Sequence, residues 1–171
     1  MKRDIQNIED DISKIKRHIR RMLVADEDII ESLHNHELGL DADPDDYLNT
    51  NIFGYIRIPG VQDVVRNFIC FSVDDIEDHR DNSVMKIQHV QFVVFCHAAD
   101  IKTDYDIERH DLIGYLIREI FHNSLVFGMT AKLIYNKEGV TDNDYSTRTL
   151  KFELTRPNSL VRAKMQNKFG Y

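Results

Sequence analysis

The sequence predicts an α+β domain: a mostly antiparallel sheet with one helix packed across it and a helical N-terminal segment. Three observations carry that prediction. Near the start of the chain isoleucine recurs at alternating three- and four-residue steps. Over residues 52–58, 68–73 and 84–97 the apolar period falls to two. Directly behind the longest of these runs, a stripe from Leu112 to Phe121 returns to helical spacing.

The N-terminal seam is Ile5, Ile8, Ile12, Ile15, Ile19 and Met22, one face of a long amphipathic helix. Asp4, Glu9, Asp10 and Asp11 come early and Lys14, Lys16, Arg17, Arg20 and Arg21 late, the order that a helix dipole favours. A seam of isoleucines also suits contact with another subunit, although about three heptads is short for a coiled coil. Asp26 is placed to cap a second, short helix whose apolar residues are Ile29, Ile30 and Leu33. The polar, acidic stretch from His34 to Tyr47, broken by Gly39 and Pro44, reads as an exposed, mobile loop.

Phe53, Tyr55 and Arg57 alternate with Ile52, Gly54 and Ile58 until Pro59-Gly60 turns the chain, which reads as a first strand. The next run, 68–73, sets Ile69, Phe71 and Val73 on one face, and 74–82 reads as a polar connection. In the run 84–97, Val90, Phe92, Val94 and Cys96 face one way, and Val93 and Phe95 are apolar on the other. That strand should be central and covered on both sides. Thr103 is placed to cap the following helix with Asp106 as capping-box partner, and Leu112, Ile113, Leu116, Ile117, Ile120 and Phe121 form its buried stripe. Residues 127–135 and 147–155 should close the sheet as a hairpin, with Leu150, Phe152 and Leu154 inward. From Arg156 onward the chain is basic, without an acid or a core pattern. The chain thus divides into a helical segment, 1–34, an α+β core, 52–157, and a basic C-terminal arm, 158–171.

At 171 residues the chain fits one domain with a single core. A net charge of −7 speaks against a protein that grips nucleic acid over its whole surface. Cys70 and Cys96 both sit inside apolar runs and read as buried thiols in a reducing compartment. No leader pattern and no membrane-length apolar stretch is visible, so a cytoplasm-like compartment and no membrane partner are expected.

The chemical motifs are weak. His34-x-His36 offers two metal ligands without a matched second pair and reads as a surface coincidence. Cys96 and His97 are neighbours on a strand and point to opposite faces, so they cannot address one substrate atom. Asp74, Asp75 and Glu77 with Lys86 beyond give the outline of a metal-dependent nuclease, but lack a short acid-x-Lys on the following strand. His89, His110 and His122 read as interface or core-edge histidines, and Phe92, Phe95 and Phe121 as core. No catalytic residue, metal or cofactor is assigned.

The order of elements, with the stretches IFGYIRIPG (52–60), NFICFSV (67–73), FVVFCH, KTDYDIERHDLIGYLI, FGMTAKLIYNKE and RTLKFEL, resembles the tail-terminator and tail-completion (neck) proteins of long-tailed bacteriophages. The resemblance covers residues 19–157. It implies a structural virion protein rather than an enzyme, at the head–tail junction of the virion and in the host cytoplasm during assembly. Copies of the chain would form a ring, commonly a hexamer, that caps the tail tube and meets a neck, head-completion or portal-side protein. DNA would pass through its channel without specific binding. Under that implication Asp41, Asp43, Asp45, Asp46, Asp74, Asp75, Glu77 and Asp78 are the candidates to line the channel. Arg156, Arg162, Lys164, Lys168, Phe169 and Tyr171 are the candidates for a subunit interface. The acids also fit solvated loops that serve solubility. The alternatives are another neck component, such as a head-completion or connector protein, and a metal-dependent nuclease.

Overall fold

Pairing of the period-two runs builds a five-stranded sheet in the order β1-β2-β3-β5-β4. The computed structural model describes residues 11–38, 42–57, 66–82, 84–141 and 143–157. Its strands are β1 (Ile52–Phe53), β2 (Phe68–Asp78), β3 (Met85–His97), β4 (Lys132–Val140) and β5 (Tyr145–Pro157). Among the described strands the short β1 runs parallel to its neighbour, with Ile52 opposite Ile69, and the other strand pairs are antiparallel. Among the described residues three α-helices accompany the sheet: α1 (Asp11–Val24), α2 (Glu27–Leu33) and α3 (Arg109–Phe121).

β3 is the central strand, and both of its faces are apolar along its second half. Val90, Phe92, Val94 and Cys96 join Ile69, Phe71, Leu150, Phe152 and Leu154 on the helical face. Ile15, Ile19, Leu23, Ile29, Leu33, Ile113, Ile117 and Phe121 cover that face. Phe92 is the centre of an aromatic group, with ring centroids 6.0 Å from Phe71, 5.0 Å from Phe121 and 5.8 Å from Phe152. The opposite face carries a smaller cluster of Phe53, Phe68, Cys70, Val93, Phe95 and Tyr145. Cys70 and Cys96 are therefore on opposite faces, and both are free thiols.

The described part of the N-terminal seam packs within the subunit, with Ile15, Ile19 and Leu23 buried, while Ile5 and Ile8 lie outside the described residues. Asp26 caps α2 as expected, accepting from the Ile29 amide at 2.9 Å. The expected loop holds a 3-10 turn, Pro44–Tyr47, begun by the Asp43 side chain, which inserts Tyr47 into the core.

Four boundaries differ from expectation. The first strand stops after Phe53: Tyr55, Ile56 and Arg57 are exposed, and Tyr55 and Arg57 gather on the Phe53 ring instead of pairing with a strand. β2 continues through 74–78, where a connection was expected, because the polar residues there pair with β3 across a register shift between Asp75 and Glu77. The last hairpin starts at Lys132. Phe127 lies in the preceding turn with its ring stacked 5.4 Å from Phe121, so its apolar side chain serves the core without belonging to a strand.

The capping box of Thr103 and Asp106 is the fourth. Asp106 has φ +59°, a left-handed conformation that cannot stand inside a helix. Thr103 Oγ1 donates to the Ile107 carbonyl, and Lys102 bridges Glu108, which closes a turn. α3 begins only at Arg109, with Glu108 at its N-cap position and no side-chain cap bond. Its buried ladder is Arg109, Ile113, Ile117 and Phe121, at steps of four, with His110 and Gly114 beside it, while Leu116 and Ile120 are partly buried. Gly114 is required for this packing, since a Cβ there would lie 2.8 Å from Arg148 Cγ on β5.

Candidate functional site

The end of α2, the 3-10 turn Ala98–Asp100 after β3, and the start of α3 converge on one carboxylate. Asp100 Oδ1 meets His34 Nδ1 at 2.8 Å and Arg109 Nη2 at 3.2 Å, and Oδ2 accepts from Asn67 Nδ2 at 2.7 Å. Arg109 is buried, and it also donates to the carbonyls of Asp100, Ser32 and Lys102. Asn67 is buried as well and donates to the Leu33 carbonyl. A buried guanidinium with this many acceptors is a rigid post, because its planar fork leaves no other arrangement that satisfies them.

Beside this post lies a cavity of about 640 Å³. Asp28 and Glu31 of α2, Lys102 and Tyr105 of the turn, and Leu112 and Leu116 of α3 are among its walls. The partly buried Leu112 and Leu116 of α3 thus add apolar surface to charged walls, the make-up of a binding cleft.

His34 ends α2 in a left-handed conformation, φ +49°, and its ring lies edge-on to that of His36 with centroids 4.1 Å apart. The turn between them is fixed by Asn35, which donates to Asn51 Oδ1 at 2.6 Å and accepts from the Glu37 amide at 2.9 Å. One ligand atom each from His34, His36 and Asp100 lies within 4.8 Å of the other two. These are the described residues that could hold a metal ion.

The acids named from the sequence fall into two separate groups. Asp43, Asp45 and Asp46 stand exposed around the 3-10 turn before β1, and Asp74, Asp75 and Glu77 stand exposed on β2. Asp75 accepts from Lys86 Nζ at 3.1 Å and from Gln88, and the same Lys86 lies 3.5 Å from Asp11 of α1. Lys86 is thus a buried lysine between two acids, one on α1 and one on β2. Asp41 and the side chain of Asp78 lie outside the described residues.

Of the interface candidates, Arg156 is a strand residue of β5, opposite Lys86 in register. Arg162, Lys164, Lys168, Phe169 and Tyr171 lie outside the described residues. His110 is buried, with Nε2 3.3 Å from Asp111 and 3.6 Å from Glu138. His122 Nδ1 accepts from the Leu133 amide, so it ties α3 to β4, and His89 lies 3.7 Å from Glu153 across the sheet. Burial pushes the Cys96 thiol far above its ordinary range, the nearby Arg109 opposing that only in part. It is a core thiol, fully buried among the apolar residues of the helical face.

Sequence reading missed Asp100, Asn67 and Arg109, which organise the cleft. The visible signal was small: an acid in the break between a strand and a helix, and an arginine at the head of an otherwise apolar stripe.

The profile of the YomW family matches residues 17–154, most of the chain and all of the sheet up to Leu154. The chain belongs to the YomW family. The family's name comes from a Bacillus phage-derived protein, which points to a phage-related origin for its members. No curated protein sequence matches the chain.

Proposed function

We propose that this YomW-family chain is a structural virion protein of the phage head–tail junction, one subunit of a ring that terminates the tail tube and joins it to the neck. The observation that carries the proposal is the outer edge of the sheet. β4 runs for nine residues, eight of them exposed, and pairs only with β5 among the described residues. Its exposed apolar side chains include Ile134, Tyr135 and Val140. A long strand edge of this kind offers unpaired amides and carbonyls to another chain, and soluble proteins rarely leave one uncovered. A ring covers such a surface by a head-to-tail contact that closes on itself.

The resemblance to terminator and completion proteins supplies the location, and the phage-related family supplies the setting. The partners are then other copies of the chain, the tail tube protein, and a neck or portal-side protein. The exposed acids Asp43, Asp45, Asp46, Asp74 and Glu77 suit a channel through which DNA slides, since each carboxylate repels phosphate and offers it no fixed contact.

Mass measurement and negative-stain imaging of the purified protein, alone and mixed with tail tubes, test the proposal. Closed rings, free or seated on tube ends, are the expected result. A strictly monomeric species in both preparations overturns it. Rings that bind portal-side protein and ignore tube ends would move the chain to a neighbouring position in the neck.

A further inference from the structure

We propose that His34, His36 and Asp100 form a binding site for a divalent transition-metal ion of the zinc class, where His34 and Asp100 line the cavity between α2 and α3. Asp100 lies 66 residues beyond His34 in sequence, yet one donor atom each of His34, His36 and Asp100 lies within 4.8 Å of the other two. Two imidazoles and one carboxylate are the donor set that such ions take, and three protein ligands leave a coordination position open.

Each ligand is held by further contacts. The left-handed backbone at His34 and the two-sided anchoring of Asn35 bring the His34 and His36 rings together instead of splaying them. Asp100 is gripped from behind by Asn67 on one oxygen and by Arg109 on the other, so its carboxylate is oriented before any ion arrives. Carboxylates and amides in this outer position are how proteins fix metal ligands. His36 is exposed, with its ring edge-on to that of His34.

Arg109 also decides which ion fits. Its positive charge already occupies part of the single carboxylate, so a hard ion held by charge alone gains little here. An ion that bonds to neutral imidazole nitrogen does not depend on that charge. The site should therefore take zinc, cobalt(II) or nickel(II) and refuse calcium and magnesium.

The test uses the full-length, tag-free protein, titrated by calorimetry with zinc and, in parallel, with calcium and magnesium. Cobalt(II) titration followed by visible absorption reports coordination directly. One equivalent of zinc should bind, and His36→Ala should weaken binding at least tenfold while leaving the metal-free melting temperature unchanged. His34→Ala should do the same to binding. Absence of zinc binding, unaltered binding by His36→Ala, or equal binding of calcium or magnesium would each overturn the proposal. None of these outcomes depends on ring assembly.

Discussion

Arg109, at the head of α3, and Asp100, in the turn that follows β3, form an ion pair of 3.2 Å with side chains only 8% and 14% exposed. The same guanidinium reaches the Ser32 carbonyl at the end of α2. One side chain thereby fastens two helices to the end of the central strand. Removing one partner of a buried pair leaves the other desolvated and alone, which costs about 3–5 kcal/mol. Arg109→Met should lose stability of that order in chemical denaturation. Arg109→Lys should recover only part of it, since an ammonium cannot reproduce the fork.

Phe92 touches three other rings and is fully buried. Phe92→Ala should destabilise the fold by about 3–5 kcal/mol. A thermal midpoint equal to that of the wild type would contradict the central placement of β3.

The raised Cys96 thiol makes stability depend on pH in a definite direction. Below the unfolded thiol's pKa, about 8.5, both states hold the proton and the difference has no effect. Above it the unfolded chain releases a proton that the folded chain keeps, so unfolding gains and stability falls as pH rises. The slope tends towards about 1.4 kcal/mol per pH unit for one thiol. Between about pH 8.5 and 9.5, Cys96→Ala should show a shallower decline than the wild type, whatever its absolute stability. The native thiol should also resist alkylation until the protein unfolds.

Val140 is 80% exposed and Ile134 43% exposed, so neither contributes much to the isolated fold. Ile134→Lys with Val140→Asp should leave the thermal midpoint within about 2 °C, as surface changes usually do, and should abolish ring formation. Rings of wild-type yield from the double variant would remove the β4 edge from the assembly contact.

Deleting residues 158–171 spares all of β5 and removes the basic arm. The expected outcome is an intact fold with reduced joining of tails to heads. Joining at wild-type yield would show the arm to be dispensable.

The elements most legible in the sequence were those whose period is set by burial. β3 announced itself because apolar residues on both faces of one strand require cover on both sides, and Phe92, Phe95 and Cys96 supplied them. Where local and distant demands compete, the pattern misled. Phe127 has the composition of a strand residue yet stacks on Phe121 from a turn. Thr103 and Asp106 have the spacing of a capping box, but Thr103 bonds to Ile107 and Asp106 turns left-handed. The cleft was nearly invisible for a further reason. His34 and His36 are neighbours in sequence, but Asp100 reaches them only because β3 ends beside α2, a fact of topology that no spacing reveals.

The outer edge of β4, which no other described strand pairs with, also governs how the chain behaves before another copy covers it. A strand with one edge uncovered is a template for any extended segment, including the same strand of a misfolded copy, so correct capture competes with aggregation. Lys132, Lys137 and Glu138 place charges along that edge, and the net charge of −7 keeps copies apart at low ionic strength. At about 0.15 M salt, fields from exposed charges reach only about 8 Å, and the protection weakens. Solubility in rising salt, more than resistance to unfolding, should therefore set how long the uncovered chain remains usable.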